Sequence, residues 1–176
     1  LRRAKERQER SRPYFTELKE TLSEIESATT DFSTPYQIKR AVKKRCIIVI
    51  AGDRGLAGGY NANIFKALTE SMADGVPVCV LPIGKRAVDF CVRKHVEILT
   101  AEFAEAATIS IPDCFAIGNL VTRGYLSEQF DEVSILYTQF VSMLTQTPRS
   151  ESLLPLESLR RVSKAGVRPL VIYEPS

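Results

Sequence analysis

The sequence is poor in the residues from which active sites are usually built. It has a single histidine, His95, and four cysteines, Cys46, Cys79, Cys91 and Cys114. The cysteines lie far apart and form no C-x-x-C pair, which argues against a zinc site. Three of them sit in apolar stretches and are expected as small buried hydrophobes in a reducing cytosol. No stretch approaches the roughly 20 apolar residues that a membrane span needs, and no signal peptide is read. A formal net charge of +3 over 176 residues is too small to announce nucleic acid. There is no G-x-S-x-G elbow, no paired carboxylates and no internal repeat.

What remains, 44% hydrophobic and 26% charged residues, suits one soluble globular domain with an appendage. The chain opens at Leu1 inside an already helical pattern and stops after an apolar run, so it reads as a piece of something longer.

The appendage is read at the start. Leu1, Ala4, Gln8, Ser11, Phe15, Leu18, Leu22, Ile25, Thr29 and Phe32 follow the three-and-four spacing of a coiled-coil seam, strongly apolar only from Phe15. Pro13 falls within it and predicts a kink or break, at a cost of roughly 3 kcal/mol. The boundaries expected are a helix over 1–32 and a globular domain over 33–176. Two basic clusters, "LRRAKERQERSR" and "KRAVKKR" (Lys39 to Arg45), offer a positive surface for an acidic protein or a nucleic acid, or are simply solvated helix faces. Without interleaved aromatics to stack on bases, a protein partner is favoured.

The globular part alternates strand and helix. "CIIVIA" (Cys46 to Ala51) predicts a strand buried on both faces. A helix follows with Ile64, Leu68 and Met72 on one face and Gly75 as its stop. "VPVCVLPIG" (Val76 to Gly84) predicts a second strand, with Pro77 and Pro82 confining pairing to its middle or to an edge. "KRAVDFCVRKH" predicts a helix burying Val88, Cys91 and Val92, with His95 as a favourable cation at its end. "VEIL" (Val96 to Leu99) predicts a short third strand. Ser110 and Asp113, in S-x-x-D spacing, open a third helix. "DEVSILYTQFV" alternates, with Val133, Ile135 and Tyr137 on one face and Leu136, Thr138 and Phe140 on the other. "TPRSESLLPLESLRR" is weakly patterned, and "RPLVIY" (Arg168 to Tyr173) reads as a last strand. The fold class expected is α/β, a Rossmann-like layered domain with a mostly parallel sheet.

Between the first strand and first helix stands "IAGDRGLAGGYNAN", where a doubly wound sheet would bind phosphate. The position fits but the spelling does not. No lysine follows the glycines as a P-loop requires, and the spacing of Gly52, Gly55 and Gly58 gives no G-x-G-x-x-G. Asp53 and Arg54 lie where catalytic residues of such sheets gather, yet a local ion pair shaping the loop is the commoner role. The glycines are read as permitting positive φ and close approach of chain to chain, and Asn61 or Asn63 as capping the helix.

"GDRGLAGGYNANIFKAL" resembles the signature of the gamma subunit of the F-type ATP synthase, close to D-R-G-L-C-G-G-x-N. "LRRAKERQERSRPY" resembles the middle of that family's N-terminal helix, "QFVSMLTQTP" and "LLPL" its later segments, and "LVIYEPS" the point before its C-terminal helix. Ala57 stands where cysteine is usual, and the inserted segment with the regulatory cysteine pair of chloroplast members is not seen, so no thiol switch is implied. The resemblance implies a Rossmann-like domain with an arm belonging to an antiparallel coiled coil. It implies a central shaft transmitting torque between the c-ring and the catalytic ring, with no catalytic, cofactor-binding or metal residues. Asp53, Arg54, Gly55, Leu56, Gly58, Gly59 and Asn61 would form a structural or docking loop. The implied partners are the alpha, beta and epsilon subunits and the c-ring, with no nucleic acid, at the cytoplasmic face of the bacterial plasma membrane. A nucleotide-binding α/β enzyme using the glycine loop is the alternative, and a nucleic-acid binder using the basic clusters a third reading.

Overall fold

The computed structural model describes residues 34–55, 59–142 and 144–156. The seam over 1–32, the expected strand over 168–173, and Leu56, Ala57 and Gly58 of the glycine loop lie outside them.

Five strands form one mixed sheet in the order β3-β2-β1-β4-β5. They are β1 (Arg45–Ile50), β2 (Val78–Ile83), β3 (Glu97–Ile98), β4 (Glu132–Ser142) and β5 (Thr145–Leu154). The first four run parallel and β5 returns antiparallel along β4. The α/β class expected from the alternation is therefore found, with an antiparallel edge.

β1 is central, and its composition explains why. Cys46 and Ile48 point into one apolar core and Ile47 and Val49 into the other, all four almost fully buried. A strand without a polar face can sit only between two layers. One layer holds α1 (Tyr60–Ser71) and α2 (Lys85–Arg93), through Ile64, Leu68, Ala87, Phe90 and Cys91, with Phe65 and Phe90 stacked at 4.5 Å. The other holds α3 (Ile111–Leu126), through Ile117, Val121 and Tyr125. Right-handed crossovers impose this division: β1 to β2 to β3 steps one way along the sheet, and β3 to β4 steps back.

Pro82 is tolerated inside β2 for a directional reason. The bonds Arg45 N–H to Pro77 O and Ala51 N–H to Ile83 O put the odd-numbered residues of β2 in the ladder with β1. The nitrogen of Pro82 therefore faces the β3 side, where pairing has stopped at Val80 with Ile98.

Two expectations are corrected. The buried face of α2 is Ala87, Phe90 and Cys91; Val88 is half-buried and Val92 is exposed. Apolar residues fill 87, 88, 90, 91 and 92, so period alone could not choose among overlapping faces. The weakly patterned stretch after Leu144 is β5, most of whose residues remain partly or wholly exposed, which is why no apolar alternation announced it.

The helix ends follow local chemistry. Ser110 and Asp113 form the expected capping box, with Ser110 Oγ accepting from the Asp113 amide and Asp113 Oδ2 accepting from the Ser110 amide at 2.8 Å. α2 and α3 both end in Schellman turns: Val96 N–H reaches Cys91 O and Gln129 N–H reaches Gly124 O, each at 2.9 Å. The residue in the left-handed position is not glycine in either case but His95 (φ 55°) and Glu128 (φ 62°).

Candidate functional site

The loop after β1 sits at the point where the strand order reverses, between β1 and β4, the place where doubly wound sheets bind their ligands. Its first residues are drawn to the other side of β1, tightly onto the end of β2 and the start of α2. Arg86 N–H donates to Gly52 O at 3.1 Å and Ala51 N–H to Ile83 O at 2.9 Å. Gly84, at φ +100°, lies so close that a Cβ on it would stand 2.2 Å from Ala51 O. Only glycine fits, for both reasons.

Asp53 occupies the anion position this geometry creates. Its Oδ1 accepts the backbone N–H of Ala106 at 2.7 Å and of Lys85 at 3.2 Å, and its Oδ2 accepts that of Ala107 at 2.9 Å. Lys85 is the first residue of α2, and Ala106 begins a 3-10 turn, Ala106–Thr108. These N–H groups have no partner within their own elements and carry the positive end of the local dipole. The amides of Ala107 and Ala106 foremost hold the Asp53 carboxyl below the usual carboxylate range. A phosphate at α2 would compete with a carboxylate the chain supplies itself.

The local ion pair expected between Asp53 and Arg54 is absent among the described residues: Asp53 faces backbone amides, and Arg54 is exposed. Arg54 contributes through its carbonyl, which accepts from Asn61 Nδ2 at 3.1 Å. Asn61 is not a helix cap either. Its Oδ1 accepts the Gly52 N–H at 2.9 Å, so one amide side chain ties both sides of the loop. The N-cap of α1 is Gly59, with no side-chain cap bond, and Asn63 lies inside the helix. Positive φ is not what Gly52, Gly55 and Gly59 supply: among the described glycines it occurs at Gly75 and Gly84, outside the loop. Close approach is. A Cβ on Gly55 would meet the Arg86 guanidinium at 3.2 Å, and one on Gly59 the Asn63 side chain at 3.0 Å.

The second basic cluster is largely spent on internal pairs and is not helical. Arg40 pairs with Asp131 at 2.7 Å, Lys44 with Glu97 at 2.8 Å, and Arg45 with both Asp74 at 2.6 Å and Glu132 at 2.9 Å. Cys46, Cys79 and Cys91 are buried and free, and Cys114 is half-buried. Hydrogen bonding to the Cys79 sulfur together with burial pushes the Cys46 thiol up, away from the thiolate. Among the described residues, no group of three or more His, Cys, Asp or Glu is placed to hold a metal ion, and no helix is long and apolar enough to cross a membrane.

A family model described as ATP synthase matches residues 1–176. The ATP synthase gamma chain of Alkaliphilus metalliredigens is 40% identical over 158 residues, covering 89% of this chain and 54% of that one. The gamma chain of Ruminococcus albus is 34% identical, covering 100% and 62%. The chain belongs to the ATP synthase gamma-chain family. It spans a little over half the length of these gamma chains. A solved chain from the central stalk and c-ring of Tetrahymena thermophila mitochondrial ATP synthase shares the fold, with a TM-score of 0.55 at 22% identity over 77% of this chain and 58% of that one. In this gamma-chain segment the residues that matter at the loop include several that its spelling did not single out. The amides of Lys85, Ala106 and Ala107 lie 32, 53 and 54 positions from Asp53. Gly84 carries a signal, a glycine between strand and helix, which the sequence pattern assigns only to the end of the strand.

Proposed function

We infer that this segment belongs to the central shaft of an F-type ATP synthase and transmits torque between the c-ring and the ring of alpha and beta subunits. It is non-catalytic, and makes and breaks no bond itself. Residues 1–32 are the shaft helix, 33–176 the globular domain at its foot, and the epsilon subunit and c-ring the neighbours of that domain. The assembly is peripheral to the cytoplasmic face of a bacterial plasma membrane. Asp53, Arg54, Gly55, Leu56, Gly58, Gly59 and Asn61 form a structural or docking loop, with Asp53 and Asn61 bracing it.

The observation that carries the non-catalytic reading is the Asp53 carboxylate on the amides of Lys85, Ala106 and Ala107. The carboxylate ties the loop after β1 to the starts of two later elements, so the anion position at the start of α2 is taken by a group the chain supplies itself. Stiffness is what a torque-bearing body needs, and backbone-to-carboxylate bonds supply it directionally.

Calorimetric titration of the 176-residue chain with the epsilon subunit of a relative such as that of Alkaliphilus metalliredigens tests the reading. Saturable one-to-one binding is expected. No heat of binding with both components folded would overturn the placement beside epsilon.

A further inference from the structure

The chain reaches the sheet from residues 1–33 through a strap, residues 34–44, and the way this strap is fastened is distinctive. No strap residue is buried. Only the Tyr36 ring packs against the core beneath α3, while Ile38 is 59% and Val42 37% exposed. Apolar burial, which attaches α1, α2 and α3, contributes only the Tyr36 contact to the strap.

A polar clasp supplies the rest. The Arg40 guanidinium donates from Nε to Asp131 Oδ1 at 2.7 Å and from one terminal nitrogen to Tyr125 O at 2.6 Å and Phe130 O at 2.8 Å. It also lies 4.2 Å from the centre of the Tyr125 ring. Asp131, buried, turns its Oδ2 back to the strap and accepts the amides of Lys43 at 2.8 Å and Lys44 at 3.2 Å. Tyr125 Oη donates to Ile38 O and Asp131 N–H to Lys44 O, each at 2.8 Å. The end of α3 and the start of β4 thus grip the strap at Ile38, Arg40, Lys43 and Lys44. A further bond, Leu156 N–H to Tyr36 O at 2.7 Å, ties the strap's beginning to the chain leaving β5.

Apolar contacts slide, because they have no preferred direction; bidentate and charge-assisted bonds resist displacement along and across the chain. A segment that only had to be covered would be expected to contribute apolar side chains. One that must not slip or swivel under load is better held by directional bonds on both sides.

We propose that Arg40 and Asp131 are positioning residues that lock the strap to the sheet, so that torque crosses between the residues 1–33 side of the chain and the globular domain without slip. The proposal rests on the torque-transmitting reading above. Its ligand-free character separates it from any docking role: the clasp faces inward, and its partners are all in this chain.

The test uses a full-length gamma chain in which these 176 residues replace the matching stretch of a relative, assembled into the membrane-bound synthase. Arg40→Ala and Arg40→Lys are compared with the unsubstituted chimera for subunit composition, ATP hydrolysis and ATP-driven proton pumping. With Arg40→Ala, protons pumped per ATP hydrolysed should fall severalfold in assembled complexes. Arg40→Lys, which keeps the charge but loses the fork, should lie between. A merely structural role would lower yield and leave that ratio unchanged, and an unchanged ratio in either variant that assembles overturns the proposal. Failure of both variants to assemble also overturns it, assigning the clasp to folding. Failure of the unsubstituted chimera to couple would instead count against the torque reading itself.

Discussion

The Asp53 carboxylate accepts the backbone N–H of Ala106 at 2.7 Å across 53 positions of sequence. With the amides of Lys85 and Ala107 it makes one side chain the meeting point of the glycine loop, the start of α2 and the turn before α3. Replacing it by alanine leaves three donors, that of Ala106 partly buried, without their acceptor. Asp53→Ala should lower the melting temperature clearly, and Asp53→Asn less, since one amide oxygen can still accept. Equal melting of all three proteins would contradict the bracing role.

The same site predicts a pH dependence with a definite sign. The folded state holds the Asp53 carboxyl below its ordinary value, so its contribution is complete above about pH 5 and fades as pH falls through and below the unfolded aspartate value of about 3.9. The stability gap between the unsubstituted chain and Asp53→Asn, from denaturant unfolding, should therefore be widest near neutrality and shrink toward pH 3. A gap that widens on acidification would reverse the assignment.

Gly84 and Gly75 both have positive φ, at +100° and +78°, but differ in surroundings. Nothing lies within 4 Å of a Cβ on Gly75, whereas one on Gly84 meets Ala51 O at 2.2 Å. Gly75→Ala should cost about 1 kcal/mol from backbone strain alone, and Gly84→Ala about 3 kcal/mol or more, strain and overpacking together. Urea titrations giving equal losses would show that the contact with β1 does not govern Gly84.

Two helix ends carry strain that can be relieved. His95 and Glu128 occupy the left-handed position of a Schellman turn, where a side chain costs roughly 1–2 kcal/mol. Allowing for the greater unfolded-state freedom of glycine, His95→Gly and Glu128→Gly should each stabilise by about 0.5 kcal/mol. A loss of stability in both would mean that these side chains make contributions their exposure does not suggest.

How much of this is legible in the sequence depends on range. β1 declared itself because it is apolar on both faces, and the capping box because its two members lie three residues apart. β4 declared itself through alternation, and its Val133 and Leu136 do enter opposite cores. β5 was hidden because an edge strand with a solvated face and Pro148 within it has no periodic apolar mark. The loop's spelling is enough to exclude known phosphate motifs, yet what Asp53 does instead depends on amides from distant elements. Asn61 reads as a cap because that residue type at a helix start usually is one, whereas the fold turns it back nine positions to Gly52. Arg40, Tyr125 and Asp131 were invisible as a group, being joined only when α3 and β4 pack beside the strap.

The non-catalytic reading, with the loop braced by Asp53 and lacking a phosphate-binding spelling, also predicts indifference to nucleotides. A ligand present at about 100 times its Kd would stabilise the native state by about 2.7 kcal/mol, several degrees in Tm. Millimolar ATP, ADP and NAD should each leave the melting of the 176-residue chain unchanged. A saturable upward shift with any of them would revive the enzyme alternative.

The most direct test of torque transmission is ATP-driven proton pumping, per ATP hydrolysed, by a synthase whose gamma chain carries these 176 residues in place of its own matching stretch. The ratio should equal that of the parent complex. A fully assembled complex that hydrolyses ATP but moves no protons would contradict the account.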